Sequence, residues 1–330
     1  MRAGWFGRAA GFLTAIGVLF AAGEAFLRWS PPSDFRPYLG DASGLTGPYR
    51  PDARFAVQYR SWHAFENEYR DRLHQMKASS VSPRTWAMFG NSFVHMDGML
   101  ADTMRAAIPD RPIFNLAKNE PLPVRLSQIE LLLDHGMRPE RIFFILLPHD
   151  SWPFAQHSLD QIRVTKDGGI GYEPRKPAAL ASVLDRSRLA LLGWIRAGRH
   201  EAIPGFRPSS INHAMPTTIV EDFRRLMNEL AEIGRRRDVP ITVVLIPNFE
   251  QITRGAGFPF QDALTPICHD AGLDVCDVRE PFLAVADKAS LFIPDKHFSP
   301  SGNAILLDSI LTHQRRGALP WRLTGGGPRK

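Results

Sequence analysis

The stretch RIFFILLPHD, residues 141–150, decides the class of fold. Apart from Arg141, its first seven residues are all apolar, with no alternation between apolar and polar. A strand of that composition is covered on both faces, as in a parallel sheet flanked by helices. The run stops at Pro148, and two polar residues, His149 and Asp150, follow at once. Open parallel sheets bind ligands beyond the carboxyl ends of their strands, so these two residues fall where chemistry is expected.

Four similar runs lie on either side: TWAMF (85–89), PIFNL (112–116), PITVVLI (240–246) and LDVCDV (273–278). The β-branched content of 240–246 favours a strand. Helical patterns separate them. PVRLSQIELLLDHG (123–136) has apolar residues at helical spacing and a closing glycine. TTIVEDFRRLMNELAEIGRRRD (217–238) is amphipathic and ends in arginines, which suit a helix C-terminus. SPSGNAILLDSILTHQ (299–314) is a closing helix. The rhythm predicts an α/β fold with five parallel strands covered by helices on both faces. The segment at about 151–215 interrupts it and reads as an insertion beside the site, suited to a lid. No internal repeat is visible.

The N-terminus is of another kind. Arg2 and Arg8 precede an apolar run from about Ala9 to Leu27, broken only by Glu24. That length just reaches the roughly 20 residues needed to span a bilayer. Arginines before the run place the N-terminus in the cytoplasm and the rest outside. A cleaved signal peptide is the rival reading, since Gly23 and Ala25 are small residues at suitable spacing, and a buried core helix is the third. The first two both export the remaining chain. Four segments follow: a membrane anchor or signal segment over 1–29, a linker and domain-edge segment over 30–80, the main domain over 81–318 with its insertion, and a tail over 319–330. Within the second, residues 30–60 are rich in Pro, Gly and Asp and read as an extended linker or a lid.

At 330 residues and 44% hydrophobic composition, the chain can bury a sizeable core. A charged fraction of 22% and a mean hydropathy of −0.18 read as globular rather than disordered. The net charge is +6 and the isoelectric point about 9.6, yet the arginines are scattered. No basic block or aromatic RNA motif accompanies them, so nucleic acid is not an expected partner. No His or Cys pair has metal-ligand spacing in a supporting context, and neither a metal nor a cofactor is expected. Cys268 and Cys276 are expected at a helix end and in a strand. They read as two buried thiols, with a disulfide as the alternative.

The polar residues at the strand ends suggest a reaction. After the first strand come Gly90, Asn91 and Ser92; after the second, Asn115, Lys118, Asn119 and Glu120; after the third, His149 and Asp150. Beyond the fifth comes PDKHFSPSG (294–302), with Asp295 and His297. A serine hydroxyl is a poor nucleophile until a base takes its proton, and histidine is the usual base at neutral pH. A carboxylate beside the histidine fixes its tautomer and stabilises the imidazolium. Ser92, His297 and Asp295 supply these roles, with backbone N–H groups at the start of the helix after Ser92 as oxyanion donors. Each signal alone is common in ordinary turns; their positions at strand ends make them one site.

In this pattern the chain resembles the SGNH/GDSL hydrolase superfamily, and more narrowly its membrane-anchored bacterial members found with polysaccharide O-acylation systems. The resemblance covers roughly residues 84–315. FGNSFVHMDGM (89–99) is similar to the block that holds the nucleophile, which places Ser92 there. IFNLAKNEPLPVRLSQIELLL (113–133) resembles the second block, RIFFILLPHDSW (141–152) the third, and IPDKHFSPSGNAILL (293–307) the last, which carries Asp and His. The resemblance implies a flavodoxin-like αβα sandwich with a five-stranded parallel sheet. It also shows departures. Asn91 replaces the aspartate of the Gly-Asp-Ser turn. Glu120 stands where a glycine N–H serves the oxyanion, and His149 where an asparagine side chain does. The Asp precedes the His by two residues rather than three, with Asp277 as a weaker substitute for Asp295. Asn91, Asn119, Glu120, His149 and Asp150 thus become the oxyanion and substrate-binding candidates.

The expected function is a serine esterase or O-acyltransferase acting on acyl groups, acetyl foremost, of an extracytoplasmic glycan. Its expected place is the cytoplasmic membrane, single-pass, with the catalytic domain periplasmic. An acylated glycan or small ester is the expected substrate, and the membrane and a membrane-bound O-acyltransferase the expected partners. Two alternatives stand beside it: a catalytically impaired binding or assembly protein on the same fold, and a lipase-like esterase.

Overall fold

The computed structural model describes residues 3–30, 49–68, 85–95, 100–118, 120–151, 186–196 and 217–316, with short pieces at 70, 73, 159, 162–164, 170–172 and 183. In chain order the elements are α1 (Ala3–Trp29), β1 (Tyr49–Asp52), β2 (Ala56–Tyr59), α2 (Trp62–Glu68), β3 (Trp86–Phe89), α3 (Ser92–His95), α4 (Leu100–Ala107), β4 (Ile113–Asn115), α5 (Leu122–Asp134), β5 (Arg141–Leu146), β6 (Ile162–Val164), β7 (Ile170–Tyr172), α6 (Arg188–Arg196), α7 (Thr217–Arg237), β8 (Ile241–Leu245), α8 (Phe249–Thr253), α9 (Pro259–Asp270), β9 (Asp274–Asp277), α10 (Arg279–Leu283) and α11 (Pro300–Arg316). The chain divides into two compact units, residues 1–57 with 156–205 and residues 58–155 with 206–330.

The second unit holds the sheet. Five parallel strands run in the order β4-β3-β5-β8-β9. All five fall inside the runs read as strands. The chain leaves β3 for β4 on one side and returns to β5 on the other, so the order reverses between β3 and β5. That is the 2-1-3-4-5 arrangement of flavodoxin-like sheets, whose ligand crevice opens at this switch point.

The apolar runs are explained by burial on both faces. Trp86, Met88, Phe143, Ile145, Val244 and Cys276 share one core with Met104 of α4 and Leu306 and Ile310 of α11. Their strand neighbours Ala87, Phe89, Ile142, Phe144, Val243 and Leu245 alternate to the other face and are equally buried. There α5, α7 and α9 pack together, while α4, α10 and α11 pack together on the first face. Gly136 ends α5 at φ 85°, a left-handed position that glycine takes without cost. The arginines closing α7 reach back to α5, Arg236 to Glu130 at 3.0 Å and Arg237 to Asp134. Cys268 and Cys276 are free and buried, and loss of solvent pushes both thiols up to about 12.

The first unit contains α1, the antiparallel pair β6–β7 and α6. Helix α6 packs on the last turns of α1. Gly23 permits the approach, since a Cβ there would stand 3.2 Å from Leu189 Cδ1. The Glu24 carboxylate caps α6 from outside, accepting the N–H groups of Arg188 at 2.7 Å and Leu189 at 3.0 Å. The expected membrane-spanning run is thus a helix of 27 residues. Among the described residues, however, no helix is long and apolar enough to cross a membrane. The side chains of residues 1–10 and of Leu13 lie outside the described residues. Most of the insertion at 151–215 also lies outside them.

Candidate active site

Ser92 sits where β3 ends. Gly90 is required by close approach, because a Cβ there would come within 2.8 Å of Val94 Cγ2. The chain can therefore fold back directly into α3. Asn91 closes the turn twice: its Oδ1 accepts the Phe93 N–H at 3.1 Å, and its carbonyl accepts the Val94 N–H at 3.0 Å. Ser92 is the first residue of α3, so its own N–H has no acceptor within the helix.

The partner histidine arrives on a tight hairpin. Phe292 and Phe298 form an isolated antiparallel bridge. Between them the Lys296 N–H donates to Ile293 O at 2.8 Å, and the Ile293 N–H to His297 O at 2.9 Å. A turn followed by one left-handed residue makes this geometry, and Lys296 occupies that position at φ 70°. A non-glycine residue there is strained by about 1–2 kcal/mol. Its ammonium is held 2.6 Å from Glu250 Oε1.

This hairpin brings His297 Nε2 to 3.0 Å from Ser92 Oγ. The Phe93 ring lies 4.7 Å from the imidazole and packs it in place. Asp295 Oδ1 stands 3.1 Å from His297 Nδ1 and also accepts the His297 backbone N–H at 3.1 Å. The backbone bond is the aligned one; Nδ1 is buried and lies off the direction of a good hydrogen bond. Asp295 is half exposed, and the His297 N–H holds its carboxyl below the usual carboxylate range.

The remaining candidates divide. His149 lies in a single 3-10 turn, Pro148–Ser151, directly after β5. Its ring lines the same cavity as Ser92 and accepts or donates no hydrogen bond among the described residues. Loss of solvent lowers its pKa first, and the charges of Lys296 and His297 push the same way against Asp150 and Glu250. Asp150 points behind the site. Its Oδ2 accepts Asn91 Nδ2 at 2.9 Å and the Leu147 N–H at 3.0 Å, and its Oδ1 pairs with Arg125 Nη2 at 2.7 Å. The Glu120 N–H, which the sequence places at an oxyanion position, donates to Lys118 O at 2.8 Å. Its carboxylate is turned to Tyr59 Oη at 2.9 Å and to Gln128. Asn119 lies outside the described residues. Asp277 is bound to Arg279 at 2.7 Å.

Asn91, Ser92, Glu120, His149, Asp150, Asp295 and His297 therefore line one cavity of about 470 Å³ at the carboxyl end of the sheet. Among the walls that sequence reasoning did not single out are Arg125 from α5 and Phe249 and Glu250 from the start of α8. The signal for the last two was the N-x-x-Q capping box that starts α8, in which Asn248 and Gln251 bond reciprocally.

No family model matches the chain, and no curated protein matches it either. Solved structures do. A lipase/acylhydrolase from Enterococcus faecalis is 14% identical, with 74% of this chain and 100% of that chain covered at a TM-score of 0.40. A psychrotrophic esterase from Pseudoalteromonas sp. is 12% identical over 72% and 100%, at 0.39. A mutant acetyl-xylooligosaccharide esterase from Geobacillus is 10% identical over 73% and 96%, at 0.40. At such scores the chemistry of this chain is read from its own geometry.

Proposed function

We propose that this protein is a serine esterase or O-acyltransferase that works outside the cytoplasmic membrane on acyl groups of a glycan. The observation that carries the reading is the 3.0 Å contact between Ser92 Oγ and His297 Nε2, with Asp295 Oδ1 3.1 Å from Nδ1. Ser92 Oγ attacks the ester carbonyl and passes its proton to Nε2. The imidazolium faces Asp295, and the tetrahedral oxyanion takes the Ser92 N–H and the His149 ring N–H. The intermediate then collapses. Nε2 returns the proton to the departing alkoxide, and Ser92 keeps the acyl group. Water or a sugar hydroxyl next gives its proton to Nε2 and attacks the acyl carbon; the second tetrahedral intermediate collapses, and Nε2 hands that proton to Ser92 Oγ as it leaves.

The cavity walls are mixed: Glu120, Arg125, Glu250 and Lys296 line it beside the apolar Phe93, Leu122, Leu147 and Phe249. The glycan substrate is an inference from the extracytoplasmic reading of the chain. One observation favours the impaired alternative: the Glu120 N–H is already spent on Lys118 O. The two readings part on the reactivity of Ser92. A fluorophosphonate applied to the full chain should label Ser92, found by mass spectrometry, and Ser92→Ala should abolish the label. A folded chain that stays unlabelled would leave only the binding reading.

The membrane assignment rests on α1. A 27-residue helix is about 40 Å long, enough for a bilayer. Several of its described apolar side chains are open, Phe12, Leu19 and Trp29 being 67%, 73% and 92% exposed, while Leu27 in its last turns is buried. Of the exposed large hydrophobic residues described, all but Val183 lie on this helix. The full chain should stay with the membrane fraction after an alkaline wash, and a chain starting at residue 31 should not. Release of the full chain by the wash would refute the anchor.

A further inference from the structure

We propose that Arg125, Asp150 and Asn91 form a buried positioning chain that sets the turn bearing Ser92, and that position 91 requires an amide because the Asp150 carboxylate faces it. The inference rests on the role given to Ser92 above.

The amide at 91 works in both directions. Its Oδ1 accepts the Phe93 N–H at 3.1 Å, and its Nδ2 donates to Asp150 Oδ2 at 2.9 Å. At neutral pH an asparagine offers an acceptor and a donor together on separate atoms, which an ionised aspartate of the same length does not. A carboxylate could keep the Phe93 bond, but would set two anionic oxygens against each other in a buried place. Both residues are at least nine-tenths buried, so water screens little of that repulsion. Asp150 is itself held from three sides, by Asn91, the Leu147 N–H at the end of β5, and Arg125 Nη2 at 2.7 Å. The chain thus ties α5 and β5 to the residue preceding the nucleophile.

Arg125 gives the reason to regard this as positioning rather than as a device for stability. Its side chain is 4% exposed, and its Nε and Nη1 are buried without a hydrogen-bond partner among the described residues. An unsatisfied buried donor is destabilising. A buried ion pair pays for desolvation only when its remaining groups are satisfied, and replacing such pairs with apolar residues is often neutral or stabilising. This one fixes an orientation at the expense of stability. Neither Asn91 nor Asp150 need touch substrate.

The test compares the full-length wild type with Asn91→Asp, Asp150→Asn and the exchanged pair Asn91→Asp/Asp150→Asn. Two readings are taken between pH 5.5 and 8.5: the fluorophosphonate labelling rate at Ser92, and the melting temperature. Asn91→Asp should label about a hundredfold more slowly than wild type at pH 8, the cost of a nucleophile displaced by about an ångström. The deficit should shrink as pH falls, because two facing carboxylates can share one proton. The exchanged pair removes the facing carboxylates and should recover part of the loss, not all of it, because the Leu147 N–H and Arg125 Nη2 then lose their carboxylate acceptor at position 150. Arg125 faces Asp150 from α5 and His149 from its own turn. Glu120, Glu250, Asp295, Lys296 and His297 line the rest of the cavity in every variant, so ratios to wild type remove their effect. Labelling of Asn91→Asp at the wild-type rate throughout, or an exchanged pair no faster than Asn91→Asp, would overturn the proposal. If Asn91→Asp does not fold, the exchanged pair against Asp150→Asn decides. If the wild type takes no label, the esterase reading fails by itself. The positioning chain then stands only if the exchanged pair restores part of the melting lost by Asn91→Asp at pH 8, and falls if it restores none.

Discussion

Replacing His297 with alanine should slow acyl transfer by about 10⁴- to 10⁶-fold while leaving the fold standing. The ring is the sole described base within reach of Ser92 Oγ, at 3.0 Å. Without it the hydroxyl keeps its proton, and the attack loses both its base and the acid that frees the alkoxide. The structural cost is small. His297 sits on a hairpin tip held by backbone bonds at Ile293 and Lys296, and the Phe292–Phe298 bridge closes it from below. Its ring packs on Phe93 alone among the described aromatic contacts. The melting temperature should therefore move by no more than about 4 °C, the shift of about 1 kcal/mol in a domain of this size. His149→Ala should cost less, about 10²- to 10³-fold, as the loss of one oxyanion donor does. Rates on a p-nitrophenyl acetate, with melting curves alongside, check both. An equal loss from the two histidines would mean that His149 does more than donate, and a wild-type rate in His297→Ala would remove the proposed mechanism.

The sheet was legible because parallel strands carry their own signature. Trp86–Phe89, Arg141–Leu146 and Ile241–Leu245 are largely apolar on both faces since helices cover both. The positions of Ser92, His149, Asp295 and His297 followed from the same fact, because strand ends converge once the strand order is known. What was not legible depends on contacts across the sequence. Arg125 is one arginine in a helix buried nearly all round, and nothing local separates it from arginines that meet solvent; its partner is Asp150, just past the next strand's end. Tyr59 meets Glu120 across 61 positions. The fate of the Glu120 N–H is set by a backbone turn onto Lys118 O, which residue types alone do not specify. Glu250 was hidden because the residues after β8 hold no histidine to draw attention to them.

Gly302→Ala should damage stability and reactivity together, which separates it from His297→Ala. Gly302 lies in the first turn of α11, and a Cβ built there would sit 2.4 Å from Leu291 O, 3.1 Å from Phe298 Cβ and 3.3 Å from Leu291 C. Two of those atoms are backbone, and they cannot swing aside. Leu291 O is further pinned by the Ser299 N–H at 2.9 Å, while Ser299 Oγ accepts the Gly302 N–H at 3.2 Å. The added methyl must push α11 away from the Leu291–Phe298 segment. Overpacking of this kind costs about 1–3 kcal/mol, more where backbone has to move. The same segment is the base of the hairpin that carries Asp295 and His297. A shift of about 1 Å in His297 relative to Ser92 would slow acyl transfer by about a hundredfold even in the molecules that remain folded. The labelling rate at a temperature well below the melting transition separates the two effects. A variant that melts lower yet labels at the wild-type rate would show that the hairpin holds its register without α11; one that melts like the wild type would contradict the packing at Leu291 altogether.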